Sequence, residues 1–297
     1  MHRFAVFVAF ATFCLIVAGA LVTSNEAGLA VPDWPLSYGS LTPPWVGNIR
    51  YEHGHRVVAS AVGMLTICLA VWLRRREPRR WVRRLGYAAL GSVVVQGILG
   101  GITVLFFLPA PVSVAHACLA QAFFCMTVTL ALVTGRRWQQ PAVKVADPGA
   151  PGLGQLAAWA MGAIYLQLIL GAALRHKGFG IAPHLAGAAV AAGLVVWAMY
   201  RVIGRHSEEP VLMRSAGALG VLLALQLILG VGSYLAREAT RDAPQPMPVM
   251  VYITVAHVAA GALTLASGLW LTLESRRRLA PASAGREKKV REQVVAA

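Results

Sequence analysis

"QLILG" stands at Gln167–Gly171 and returns unchanged at Gln226–Gly230; a close variant, "QGILG", occupies Gln96–Gly100. Each copy lies late in an apolar run, shortly before a polar loop. The apolar run after each copy has a histidine near its start: His116, His184 and His257. His55 opens the second run of the chain in the same way, within "YEHGHR" (51–56). "VAH" precedes the body of two of these runs, at Val114–His116 and Val255–His257. This recurrence divides the chain into two four-helix halves, 1–140 and 154–275, joined by a linker, 141–153, and followed by a basic tail, 276–297. The paired histidines are 61 residues apart in the first half and 73 in the second. The insertion "DAPQPMP" (242–248) in the last loop accounts for most of the difference. A parallel repeat of this kind predicts a pseudo-twofold axis along the membrane normal.

A bilayer sets the scale of the runs. Crossing its hydrocarbon core takes about 20 apolar residues. Eight runs qualify: 4–24, 54–73, 85–107, 112–134, 154–174, 181–202, 212–235 and 249–273. The composition agrees: 57% of the residues are hydrophobic and 13% charged. The expected fold is an all-α integral membrane protein, its eight transmembrane helices forming two pseudo-twofold-related four-helix bundles. The first run is longer than the apolar core of a signal peptide and has no clean small-residue cleavage site, so it reads as a retained helix.

The net charge of +15 invites a nucleic-acid reading, but its distribution excludes one. With the N-terminus inside, twenty-one of the 27 Lys and Arg residues fall on inner segments, seven of them between Arg74 and Arg84. Arg50, Arg56, Arg175, Lys177, Arg237 and Arg241 fall outside. This is the positive-inside pattern, with both termini cytoplasmic in a bacterial-type inner membrane. The tail reads as an anchor at anionic lipid. Cys14, Cys68, Cys118 and Cys125 all lie in apolar runs, so no exported disulfide is expected.

Ionisable residues within membrane segments are costly and point to function. Four histidines at equivalent repeat positions predict a common depth. Zinc favours acids, thiolates or a compact histidine cluster. A haem between helices takes two axial imidazoles from opposite sides. The pairs His55 with His116, and His184 with His257, therefore suggest two haems. Gly100, Gly101, Gly171, Gly187 and Gly230 either let a flat macrocycle approach the backbone or serve close helix packing. The halves differ in charge. Only the first has a carboxylate three residues before its histidine, Glu52, on the same helical face as His55. Only the first has an arginine directly after it, Arg56. Glu52 is a candidate to accept a proton or stabilise developing charge, or else a salt-bridge partner of Arg56. His53 and His176 read as interfacial residues. Arg175 and Lys177 are candidates to pair with haem propionates. The loop from Asn25 to Arg50, with Trp34, Tyr38 and Trp45, reads as a lid over the first site or as a simple aromatic belt.

These residues resemble the haem A synthase family, bacterial and mitochondrial. The resemblance covers about 4–275. It rests on "GALVTSNEAGL", "PDWPLSYG", "EHGHR", "QGILGG" with "VAH", and the second-half histidines, in that order. It implies oxidation of a ring methyl (C8) of haem O to a formyl group by two successive hydroxylations and loss of water, giving haem A for terminal oxidases. It implies Glu52 as the catalytic carboxylate, His55 and His116 flanking substrate haem O, with Arg56 beside it, and His184 and His257 axial to a haem b cofactor. Haem O synthase (protohaem farnesyltransferase) and an electron donor or acceptor are the implied partners. Many family members carry a cysteine pair in the first loop; here Val31 and Ser37 stand at those places. The rival readings are a di-haem b-type electron-transfer cytochrome, disfavoured by the one-sided Glu52, and a haem transporter, disfavoured by ligands at one outer level.

Overall fold

The computed structural model describes residues 1–176, 178 and 180–281. Its helices run in order α1 (His2–Ser24), α2 (Ile49–Arg76), α3 (Arg80–Leu105), α4 (Ala110–Val133), α5 (Arg136–Gln139), α6 (Leu153–Arg175), α7 (Ile181–Arg205), α8 (Pro210–Ala239) and α9 (Pro248–Arg278). All but the single-turn α5 are long and apolar enough to cross a membrane, eight in total among the described residues. The chain is a helical multi-pass membrane protein.

Each spanning helix contains one of the predicted runs, but several reach beyond it. Helix α2 starts at Ile49 and α9 continues to Arg278. Apolar content marks where lipid is; backbone hydrogen bonding marks where a helix ends. Thus α2 ends where Glu77 turns extended, as the residue before Pro78 must. Helices α4, α8 and α9 each place a proline in the first turn, where no intrahelical N–H is lost. The histidines consequently sit inside helices rather than at their mouths: His55 and His116 are the seventh residues of α2 and α4, His184 the fourth of α7, and His257 the tenth of α9.

Helices α1 to α4 close a ring in which α1 meets both α2 and α4; α6 to α9 close a second in which α6 meets both α7 and α9. The rings touch through α1 with α9, α4 with α6, and α4 with α9. Exchanging α1 with α6 and α4 with α9 leaves that set of contacts unchanged. Each ring has its own core, built on Val62, Leu69, Phe123 and Leu130 in the first and on Leu156, Val195, Leu219 and Leu265 in the second. Smaller clusters join them, such as Ile16 with Phe124 and Ala262. Outward faces stay apolar, as lipid contact requires: Val221, Leu225, Ile228, Val231 and Leu235 of α8 are all exposed.

The linker is anchored more firmly than its Pro- and Gly-rich composition predicts. Strand β1 (Val145–Asp147) pairs in parallel with β2 (Leu279–Pro281). Buried Asp147 accepts the Leu153 N–H at 2.5 Å and lies 3.4 Å from both Arg201 Nη2 and His206 Nε2. Arg201 also donates to the Pro151 carbonyl at 3.1 Å. Nearby, buried Glu274 of α9 accepts the Trp138 indole N–H of α5 at 3.0 Å and Arg278 Nε at 2.9 Å. Charge-assisted bonds of this kind tie the halves together at the arginine-rich end. The rest of the predicted basic tail, from Ala282 onward, lies outside the described residues.

Candidate functional site

Each of the four repeat histidines rests against one glycine of the preceding spanning helix. A Cβ on Gly19 (α1) would lie 3.2 Å from Cε1 of His55 (α2). On Gly100 (α3) it would lie 3.4 Å from Cε1 of His116 (α4), on Gly171 (α6) 3.1 Å from that of His184 (α7), and on Gly230 (α8) 3.1 Å from that of His257 (α9). The same ring edge meets the same kind of seat four times. A side chain at any of the four would crowd the imidazole and turn it. The structure thus gives Gly100, Gly171 and Gly230 to imidazoles rather than to a macrocycle. Gly187 makes room for Gln167 and Leu170, and Gly101 for Trp34. Gly19 escaped the sequence reading because Leu15, not glutamine, stands four residues before it. The available signal was the Gly-Ala pair (19–20) near the end of its helix, matched by Gly171-Ala172.

The repeated phrase also acquires a physical meaning. Its glutamine and glycine are four residues apart, so they share one helix face. Gln167 Nε2 lies 3.0 Å from His184 Nδ1 and donates to the His184 carbonyl at 2.8 Å. Gln226 Nε2 lies 3.3 Å from His257 Nε2. Gln and Gly together bracket the imidazole, one by hydrogen bonding and one by close approach.

In the first half, "EHGHR" lies within the first two turns of α2 and holds the lid loop. Buried Glu52 accepts the Val31 N–H at 2.8 Å on Oε2 and Arg56 Nη2 at 2.5 Å on Oε1. Arg56 Nη1 donates to the carbonyls of Asp33 (2.7 Å) and Leu36 (2.6 Å), and its Nη2 also reaches the Val31 carbonyl at 3.4 Å. Its Nη hydrogens are therefore directed at Glu52 and the loop rather than left free for a propionate. The salt-bridge alternative for Glu52 is realised, but as a partly buried pair wired to the loop and not as a surface one. His53, expected at the interface, is buried: Nδ1 lies 2.9 Å from Ser37 Oγ, and Trp45 packs edge-on against its ring.

Val31 and Ser37 are themselves fully buried, each bonded to α2 through Glu52 or His53. Two polar ties thus hold the loop at Val31 and Ser37, the two places noted above as lacking a cysteine pair. Within the loop, Asp33 accepts the N–H groups of Tyr38 (2.7 Å) and Gly39 (2.8 Å). The Gly39 bond does most to hold its carboxyl below the usual range. The Trp34 indole lies flat on α3 at Gly101, where a Cβ would come within 2.8–3.1 Å of its ring atoms. The next residue back, Gly100, seats His116. The loop is pinned to α2 by charge and to α3 by an aromatic ring.

Arg175 points across the interface between halves and donates to Ser24 Oγ of α1 at 3.1 Å. Lys177 lies outside the described residues. His176 is half-buried at the end of α6; burial, and then the neighbouring Arg175, lower its pKa.

The donor set suits haem better than a bare metal ion. No three His, Cys, Asp or Glu side chains gather into a metal cage among the described residues. His184 and His257 face one another with ring centroids 6.5 Å apart and planes at 75°. Two imidazoles bonded to one ion from opposite sides, each at about 2 Å, stand roughly 6 Å apart. Buried and unpartnered are Nδ1 of His55, His116 and His257 and Oε1 of Gln96, Gln167 and Gln226. Buried polar atoms of this kind call for a partner, and here they ring the imidazoles in both halves.

A family of cytochrome oxidase assembly proteins (COX15-CtaA) matches residues 47–184, which include Glu52, His55, Arg56, His116 and His184. A haem A synthase of Symbiobacterium thermophilum is 33% identical over 257 residues, covering 84% of this chain and 80% of the relative. One of Halalkalibacterium halodurans is 31% identical over 141 residues, 45% of each chain. One of Alkalihalophilus pseudofirmus is 32% identical over 114 residues, 36% of this chain and 38% of the relative. The first of these alignments runs through both helical rings, and on it, together with the four seated histidines, the chain belongs to the haem A synthase family.

Proposed function

We propose that this chain converts haem O to haem A by oxidising the C8 methyl to a formyl group. Substrate binds between His55 and His116 in the first ring, and a resident haem b is held by His184 and His257 in the second. One observation carries the division of labour: all four histidines have glycine seats, but a buried carboxylate stands beside only one of them. A pure electron-transfer protein has no use for that asymmetry.

Haem b, when bound, supplies one-electron redox chemistry whose potential the protein sets through its axial ligands and their hydrogen bonds. Gln167, bonded to the His184 carbonyl, and Gln226, against the His257 ring, would hold those two residues in place beside it. In the first ring, Glu52 lies one helical turn from His55 and is shielded from water by the lid. A carboxylate so placed can accept a proton from the reacting carbon or stabilise positive charge there, and it acts more strongly for being out of water. Arg56 balances its charge and fastens the loop, and Trp34 closes the α3 side. Both rings lie in a bacterial-type inner membrane with termini in the cytoplasm. Haem O arrives from haem O synthase, and a separate redox partner balances the electrons.

The test is haem extraction from membranes that make haem O, with and without this chain. A formyl haem that appears only with the chain supports the reading. Unchanged haem O beside a loaded haem b would leave an electron-transfer cytochrome in its place.

A further inference from the structure

At the end of the molecule away from the histidines, a cavity of about 420 Å³ opens between α2 and α3, lined by Arg74, Arg80, Arg83, Arg84 and Tyr87. Four of its five lining residues lie on one stripe of α3. Positions 80, 83, 84 and 87 are spaced i, i+3, i+4, i+7, so their side chains share a face. Arg74 reaches the cavity from the last turn of α2, across the Glu77-Pro78 corner.

Among the described residues, the carboxylate nearest in the chain, Glu77, is already engaged. Glu77 receives Arg79 through Nε at 2.7 Å and Nη2 at 3.0 Å. Arg79 in turn donates to the Val133 carbonyl at 2.8 Å and to that of Trp138 at 3.4 Å. Arg79 is therefore a structural residue, and among the described residues no carboxylate lines the cavity that the other four share. Guanidinium groups facing one space repel one another unless an anion lies between them. Their forked donors match phosphate oxygens in particular. Tyr87, one turn further into the membrane, supplies a hydroxyl at interface depth. Beyond it the outer faces of α2 and α3 are apolar and exposed, with Ile67, Val71 and Trp72 on one and Val94, Val95 and Ile98 on the other. A phosphate at the mouth with acyl chains running down those faces is the arrangement the chemistry favours.

We propose that Arg74, Arg80, Arg83, Arg84 and Tyr87 form a specific site for the phosphate of an anionic glycerophospholipid, distinct from the haem sites. The seven-arginine segment thus does two jobs: Arg79 ties the helix ends together, and four of its neighbours hold a lipid.

The purified full chain is placed in phosphatidylcholine nanodiscs, phosphatidylglycerol is titrated in, and retained lipid is counted by native mass spectrometry. Saturable retention of phosphatidylglycerol is expected. The double variant Arg83→Gln/Arg84→Gln should weaken it about twenty-five-fold, at roughly fivefold per arginine. Arg75→Gln/Arg76→Gln removes the same charge from the same segment outside the cavity; it costs only screened long-range attraction and should weaken retention clearly less. Equal losses in the two variants, or no saturable retention, would overturn the site. Inorganic pyrophosphate is titrated onto lipid-free detergent-solubilised protein as a second arm. Failure to bind supports a lipid source. Binding that Arg83→Gln/Arg84→Gln abolishes would overturn the lipid assignment in favour of a soluble phosphate ester. Arg84→Gln alone, at an exposed residue, guards against misfolding, and its melting temperature should match the parent.

Discussion

Glu52 bears the most pointed prediction, because the structure makes it the partner of Arg56 and the proposed reaction gives it a second role, and one substitution cannot separate the two. Its carboxylate is 4% exposed and holds both Arg56 and the Val31 N–H. Truncation in Glu52→Ala leaves the partly buried Arg56 without its counter-charge, a loss of about 3 kcal/mol in stability, the low end for a buried pair. Removing a preorganised charge from the reacting site costs about 3–4 kcal/mol in the barrier, which slows turnover a hundredfold to a thousandfold, roughly. The two costs overlap in size, so the variants must pull them apart. Glu52→Gln keeps the shape and an acceptor for Val31, and Arg56 keeps its three loop carbonyls. Its stability loss should therefore be modest, about 1.5–3 kcal/mol, the worth of one charged hydrogen bond. Glu52→Ala/Arg56→Met removes both charges and should melt closer to the parent than Glu52→Ala does. If Glu52 works on substrate, both variants accumulate haem O or a partly oxidised alcohol form while haem b stays at parental content. The assay is the ratio of haem O to haem A in extracted membranes, with haem b from the reduced spectrum of the same sample. Haem A returning to parental levels in Glu52→Ala/Arg56→Met would refute the reasoning and make Glu52 a counter-ion for Arg56.

His184→Ala or His257→Ala should abolish the low-spin haem b spectrum of the purified protein, whereas His55→Ala should retain it; a parental spectrum in both of the first two sinks the axial assignment. Gly101→Val should dislodge Trp34 and lift the lid, read as faster protease cleavage between residues 25 and 48 with haem b unchanged. A reporter active only outside the membrane should be silent after Ala297 and active within 240–247; the reverse would overturn the orientation. Arg79 holds the Glu77 carboxyl below its usual range. That contribution is complete above the usual carboxylate pKa and is lost as pH falls through the lowered one. Thermal melts between roughly pH 3 and 6 should show an acid limb that Glu77→Gln flattens.

Much of this molecule was legible in one dimension because a bilayer imposes one-dimensional rules. A span needs a minimum length of apolar residues, arginine collects on one side, and an imidazole inside an apolar run stands out wherever it falls. Those rules placed eight helices, paired His55 with His116 and His184 with His257, and marked Glu52 as the residue that breaks the repeat. Helix ends were less legible, since a polar stretch such as Arg50–Glu52 continues a helix that composition alone stops short. What only the tertiary structure decided was which faces meet. Gly19 lies 36 residues from the histidine it seats, and no local period links them. Arg56 read only as a neighbour of the substrate or of Glu52 until the loop folded its carbonyls onto it. His53 looked interfacial until Ser37 and Trp45 closed over it, and Asp147 looked like part of a loose linker until Arg201 and His206 converged on it. Each of these depends on a close approach between segments distant in the chain. Hydrogen bonds and ring packing set such approaches over a few ångströms, and hydropathy, which sums over many residues, is blind to them.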